Sequence, residues 1–364
     1  MNKRKMLLIG CGKTGNKLVN EMLKKDSRYT GLFVNTAYND MVNLEKFSED
    51  NAFLFSGANG SGRNRNVAKE YVKNQIQSLV DTISSYPMHD VITIFTSADG
   101  GTGSGMTPML IQLLRMTYDT KKLDRKINLV AVMPDYDNDD KVAFENSIEF
   151  WNEIMKIKDK CIDDIKFVDN SKGKTFAEIN SKVVELLNNA YSMNGEHDEG
   201  DIDDKDAKVF NTEKGFGLVL TLSDDYKDPS KAIDEAIKNS IFALPNSYEC
   251  NYLGISIKED SYSLKDVRNC FDTVYKTTYR TKNKKHSTIV FGGCNVPSEV
   301  IEMIKAKLDD IKEKSINRNS NNSMIIDVAT EDVTHRKETN KGNKATFTED
   351  EIEDISAKLM DLFG

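Results

Sequence analysis

Asp99-Gly-Gly-Thr-Gly-Ser-Gly105 is the stretch that decides the reading of this chain. It follows a β-branched apolar run, Asp90-Val-Ile-Thr-Ile-Phe-Thr96, and opens an apolar helical pattern over 107–118. Such a junction suits a polyphosphate for three reasons. Gly100, Gly101 and Gly103 let backbone N–H groups approach oxyanions. A helix N-terminus adds a favourable dipole. Thr102 and Ser104 add hydroxyl donors. A tight turn with no ligand is the plain alternative, but packing alone is a poor explanation for so many glycines at one strand-to-helix junction.

Working outward, short apolar runs at 5–9, 31–35, 90–96 and 127–133 alternate with helical patterns at 17–25, 67–84 and 107–118. Strands alternating with helices predict a parallel sheet covered on both faces. Ligands of such sheets bind at the carboxyl ends of the strands. Two more glycine turns follow strands there. Gly10-Cys-Gly-Lys-Thr-Gly-Asn16 matches G-x-G-x-x-G, a weak dinucleotide fingerprint by itself. It is not a P-loop, because Leu7 stands where the first glycine is needed. A nicotinamide cofactor asks for an acid at the end of the second strand, where this chain has Asn35. Gly57-Ala-Asn-Gly-Ser-Gly62 reads equally as a mobile loop or a ligand loop.

The second half carries a long helical pattern at 176–191 and an acidic run from Asn194 to Lys208. Strand-like stretches follow at 217–222, 251–257 and 288–291, with helices at 229–242 and 298–314. Residues 317–344 are linker-like in composition. A helical signal restarts with a capping box at Thr348 and Glu351, and Ile352, Ile355, Leu359 and Leu362 share one face. That helix either packs on its own body or docks on a partner.

Composition narrows the class. Asp and Glu number 58 against 50 Lys and Arg, and the net charge of −8 argues against nonspecific nucleic-acid binding over the whole surface. The five cysteines form no Cys-x-x-Cys pair, which fits reduced thiols better than a disulfide framework or a zinc site. The first apolar run, Met6-Leu-Leu-Ile9, is too short for export or for spanning a membrane. A cytoplasmic α/β protein without a membrane association is expected.

The turn Gly100-Gly-Thr-Gly-Ser-Gly105 resembles the signature loop of the tubulin/FtsZ superfamily, with Asp99 where a small residue is usual. The other loops fall in that family's order. Gly10, Cys11, Gly12, Gly15 and Asn16 are similar to the first phosphate loop, and the resemblance implies that Asn16 meets the guanine base. Asn35 and Thr36 resemble the second loop, with Ala37 in place of its Asp. Gly57, Ala58, Asn59 and Gly60 stand where the γ-phosphate-sensing loop belongs, and Pro134 and Asp135 where the ribose loop belongs. Phe176-Ala-Glu-Ile-Asn180 resembles the start of the central helix, which implies a guanine contact for Asn180. Asp201-Ile-Asp203-Asp-Lys-Asp206 is similar to the family's Asn-x-Asp-x-x-Asp, with Asp201 for Asn, and Glu213-Lys-Gly215-Phe216 supports the register. Composition alone would make this run a solvated acidic loop.

The resemblance implies GTP and GDP as ligands, with Mg²⁺ and no assigned protein ligand to it. It implies a Rossmann-like α/β GTPase domain with a parallel sheet (1–175), a central helix with an acidic catalytic loop (176–212), a second, smaller α/β domain (213–316) and a helical tail (317–364). Asp203 and Asp206 would act on the nucleotide of a neighbouring subunit, so hydrolysis would need head-to-tail filaments. Low proline, abundant Asn and Lys, Asp99 and the form of the tail make the chain most similar to the TubZ branch, which moves plasmid or phage DNA through a DNA-bound helix-turn-helix adaptor. An FtsZ-like or phage-tubulin scaffold without a partition role is the alternative. The basic stretch from His335 to Lys344 is either near DNA or a solvated linker.

Overall fold

Strand and helix alternate from the start of the chain. The computed structural model describes residues 1–322 apart from 174, 196, 199 and 272, without the side chains of 76 and 317–322. The first half runs β1 (Met6–Cys11), α1 (Gly12–Lys25), β2 (Thr30–Asn35), β3 (Ala52–Leu54), α2 (Arg65–Asn74) and α3 (Ile76–Ser84). It continues through β4 (Val91–Ser97), α4 (Thr102–Thr120), β5 (Lys126–Met133), α5 (Lys141–Cys161) and β6 (Asp164–Asp169). Then come α6 (Phe176–Ala190), α7 (Asp204–Asn211), β7 (Gly215–Leu222), α8 (Pro229–Lys238), β8 (Cys250–Lys258), α9 (Leu264–Asn269), β9 (Val274–Asn283), β10 (Ser287–Cys294) and α10 (Ser298–Asn322).

These strands form one ten-stranded sheet, ordered β3-β2-β1-β4-β5-β6-β7-β10-β8-β9. Every pair from β3 to β7 is parallel. β10 runs antiparallel to both β7 and β8. The expected α/β fold is therefore present, with a sheet that is parallel from β3 to β7 and turns antiparallel at β10. Its two halves share a continuous sheet, joined at Asp164↔Gly215 and Ile165↔Phe216. β1, β4 and β6 are buried along their whole length, and β5 from Ile127 onward. Such two-sided burial explains the near-continuous apolar sequences of β1, β4 and β5. The edge strand β9 carries Lys276, Arg280 and Lys282, charges that discourage edge-to-edge pairing. Among the described residues no helix is long and apolar enough to cross a membrane.

Several elements differ from the sequence reading. Both glycine-motif helices begin earlier, inside the motifs, at Gly12 and Thr102. The single helix expected over 67–84 is two, broken at Gln75 (φ −127°, ψ 25°). The Gln75 amide accepts from the Ser56 backbone N–H at 2.7 Å and donates to its carbonyl at 3.0 Å, so the break serves a long-range contact. β6 has no clear strand signal in the sequence, because Asp164 and Lys166 interrupt its apolar pattern. They form a buried pair at 2.5 Å, and burial pushes the Asp164 carboxyl up. α10 continues to Asn322, so 317–322 is helical backbone and not a linker. The tail helix around Ile352 and the basic stretch from His335 lie outside the described residues.

Candidate nucleotide site

The loops after β1, β2 and β4 meet at the carboxyl edge of the sheet. Gly10 and Cys11 close β1, while Gly12, Gly15 and Asn16 belong to the first turns of α1. Neither α1 nor α4 has a side-chain cap at its N-terminus, which leaves backbone N–H groups available to an anion. Glycine brings these two termini together. A Cβ on Gly12 would sit 2.9 Å from the Gly103 nitrogen, and one on Gly103 would sit 2.7 Å from the Cys11 carbonyl oxygen. Gly57, Gly60 and Gly62 serve differently. Each has positive φ and open space in front of it, so the turn needs their conformation rather than their size.

Hydroxyls tie three loops into one surface. Thr36 Oγ1 lies 2.8 Å from Thr102 Oγ1, and Thr102 donates to Ser61 Oγ at 3.0 Å. The Gly60 N–H donates to the Thr36 carbonyl at 2.9 Å. Ser61 carries no sequence signal beyond its place within a glycine turn. Ser104 corrects an expectation. It is fully buried and donates to the Gly100 carbonyl, so its hydroxyl braces the loop rather than facing a ligand. Asp99 does not cap α4, whose N-cap is Gly101. Instead, the Asp99 and Gly100 carbonyls accept from Asn146 Nδ2 at 3.0 and 3.4 Å.

Around Asp99 the charges are mixed. Arg63 has φ +62° and donates to Asp140 at 2.6 Å, a bond that raises the guanidinium pKa, with Asp99 and Asp139 adding to it. Burial pushes the Asp139 carboxyl up, and Asp99 and Asp135 push the same way. Asp135, after Pro134, accepts from the N–H groups of Asp137 and Asn138 at 3.0 and 3.3 Å. Its carboxylate thus closes a local turn at the end of β5. Among the described residues no group of three His, Cys, Asp or Glu side chains is placed to hold a metal ion.

The amides differ in what they leave open. Asn16 is buried and donates to the Val34 carbonyl at 3.4 Å, while its Oδ1 has no partner. Asn35 Oδ1 accepts from the Thr36 N–H at 2.8 Å, while its Nδ2 has none. One buried acceptor and one buried donor are therefore unmatched near the ends of β1 and β2. That pattern fits a polar ligand, because burying such atoms unmatched is costly. Asn180 is half-buried on α6. Phe176 stands one helical turn before it, 62% exposed, and an i, i+4 pair shares a helix face. An exposed ring there offers a stacking surface that the sequence reading did not assign.

Asp203 and Asp206 lie at the opposite edge. Asp203 is the N-cap of α7, and α7 is tied to the amino ends of the strands. Asp204 pairs with the Met1 amino group at 2.9 Å, and Lys208 reaches Asp90, just before β4, at 4.0 Å. The Asn211 carbonyl accepts from Asn128 near the start of β5 at 2.9 Å. α6 bridges the two edges. It begins after the carboxyl end of β6, and its far end meets Lys3 through Asn188 and Ser192 at 2.7 and 2.6 Å. A seven-residue strand such as β4 spans roughly 20 Å, so the acids and the phosphate turn of one chain do not meet.

A strand-edge site built from uncapped helix ends has the chemistry that suits a phosphate group. A family model for the Tubulin/FtsZ family, GTPase domain, matches residues 5–172, so the first half of the chain is similar to that domain. Along 356 residues it is 25% identical to the tubulin-like protein TubZ of Clostridium botulinum C phage, over 96% of each chain. It is also 25% identical to the tubulin-like protein CetZ of Methanothrix thermoacetophila, over 68% of this chain and 71% of that one. The solved Clostridium botulinum phage c-st TubZ has a similar fold, with TM-score 0.77 and 24% identity, covering 86% of this chain and 100% of that one. The GTPγS-form protofilament of Bacillus thuringiensis serovar israelensis TubZ gives TM-score 0.74 at 16% identity, covering 88% and 94%.

Proposed function

We propose that this chain binds GTP at the carboxyl edge of the sheet, polymerises head to tail, and hydrolyses GTP where two subunits meet. The observation that carries the reading is the separation of the phosphate turn from Asp203 and Asp206 to opposite edges of one sheet. A head-to-tail neighbour would bring its α7 acids onto the nucleotide. Such a heterologous contact does not close on itself, so it builds filaments.

Phosphoryl transfer needs positioning and charge stabilisation. The α1 and α4 N-termini would hold the phosphates, with Gly100, Gly101, Thr102 and Gly103 nearest them. Asn16, Asn35 and Asn180 would take the guanine and ribose polar groups, with Phe176 stacked on the base. Asp203 and Asp206 of the neighbour would orient and deprotonate the attacking water. Mg²⁺, when bound, would neutralise phosphate charge while ligated largely by phosphate oxygens and water.

Similarity to TubZ along the chain supports a role in plasmid or phage DNA partition through a DNA-bound adaptor. The segment past residue 322 is the adaptor's docking site in this reading. The test is phosphate release and pelleting against protein concentration with GTP. Turnover that rises cooperatively above a threshold, together with GTP-dependent pellets, supports it. Turnover per subunit that is independent of concentration would sink the shared active site.

A further inference from the structure

We infer that Arg65 is a positioning residue that repairs the first turn of α4 and thereby shapes the phosphate turn. The inference rests on reading 99–105 as the phosphate site. Pro108 lies inside α4. A proline has no N–H, so the Ser104 carbonyl, four residues earlier, loses its helical donor. Arg65 supplies one. Its Nη2 donates to that carbonyl at 3.1 Å, and its Nε donates to Ser104 Oγ at 3.1 Å. Ser104 in turn donates to the Gly100 carbonyl. A relay therefore runs from Arg65 through Ser104 to the turn itself.

The guanidinium is 2% exposed and anchored from its other side. Nη1 donates to Glu149 at 2.7 Å and Nη2 to Glu153 at 2.6 Å, both on α5, and Glu153 also accepts from Lys69 at 2.6 Å. The fork geometry matters, because only a planar multi-donor cation reaches two carboxylates, a carbonyl and a hydroxyl at once. Close packing backs this up. A Cβ on Gly105 would sit 3.0 Å from the Arg65 Cα, and one on Gly101 would sit 2.6 Å from the Arg63 Cα. Asn146 adds a third tie, from α5 to the Arg63 carbonyl at 3.0 Å. Since Arg65 opens α2 directly after the 57–62 loop, two phosphate-edge loops are held in register by one side chain and one face of α5.

The test is calorimetric titration of the full chain with GTPγS and with GDP. Arg65→Lys is expected to bind both about tenfold more weakly, the equivalent of one lost charge-assisted hydrogen bond. Pro108→Ala restores an N–H to the Ser104 carbonyl. Alone it should leave affinity within about twofold, and in the Arg65→Lys background it should recover at least about threefold. Wild-type affinity in Arg65→Lys overturns the inference, and so does a loss that Pro108→Ala does not relieve. If Arg65→Lys does not fold, Glu149→Gln serves, with about threefold weaker binding expected; unchanged binding there overturns it too. Absence of GTPγS binding in the wild-type chain would instead refute the site itself.

Discussion

Asp203 and Asp206 cap each other: the Asp203 N–H donates to Asp206 Oδ2 at 3.1 Å, and the Asp206 N–H donates to Asp203 Oδ1 at 2.8 Å. The two residues proposed for water activation thus also start α7. The backbone bond from Asp206 holds the Asp203 carboxyl below its usual range, so it is ionised at neutral pH.

Asparagine separates these two roles, because it keeps an N-cap acceptor but gives up the negative charge. Asp203→Asn and Asp206→Asn should melt close to wild type and still pellet with GTP. Their turnover should fall by about 10²-fold or more, the usual scale for losing a general base. Asp203→Ala should lower the melting temperature as well. Phosphate release at the wild-type rate in both Asn variants would remove these acids from the mechanism.

Gly103→Ala should damage both fold and site. Its Cβ would meet Thr96 Oγ1 at 2.5 Å and the Cys11 carbonyl at 2.7 Å, pushing α1 and α4 apart. Overpacking of this kind costs about 1–3 kcal/mol. Gly57→Ala meets no neighbour and carries only the strain of φ +73°. Chemical denaturation should rank Gly103→Ala as the worse of the two, with GTPγS binding lost only there.

Thr102→Val removes the hydroxyl shared by Thr36 and Ser61 while keeping the side-chain shape. GTPγS affinity should fall about tenfold as the loops lose their common bond. A titration indistinguishable from wild type would show that the hydroxyl cluster does not shape the site.

His89 makes stability depend on pH. Its ring is buried, with Nε2 2.9 Å from Thr30 Oγ1, and burial lowers its pKa from 6.5. A depressed histidine binds protons more readily when unfolded. Stability from the neutral ring is therefore present above pH 6.5 and lost as pH falls through the folded-state value. His286 is shifted the same way, also by burial. Urea midpoints between pH 7.5 and 5 should fall less steeply in His89→Gln than in wild type.

Truncation should be made after residue 322, because α10 runs to Asn322 and anchors to the body through Lys307 and Asp137 at 3.3 Å. Residues 1–322 should keep GTP turnover and lose adaptor capture. Full capture by the truncated chain would place the adaptor contact elsewhere.

Much of the fold was legible because local rules wrote it. The apolar runs of β1, β4 and β5 are strands covered on both faces, which composition reveals. β6 and β9 were not legible, since one hides a buried ion pair and the other is an exposed edge. Within the site, Gly12, Gly101 and Gly103 could be named from the sequence, but their reason could not. Gly12 and Gly103 make room for each other's loops, about ninety residues apart in sequence, and Gly101 makes room for the loop at Ser61 and Arg63. Ser104 was legible as a hydroxyl in a glycine turn; only packing shows that hydroxyl spent inside the turn.

The alternation of strand and helix, and the glycine turns at the strand ends, can be read from the sequence alone. These follow from backbone preferences and hydrophobic period, which act over a few residues. Only the tertiary structure decided that Arg65 answers the donor missing at Pro108, and that Asp203 and Asp206 stand at the far end of α6 from Gly100. Both depend on contacts between distant segments, whose distances are set by the length of α6 and by how α2, α5 and α7 pack.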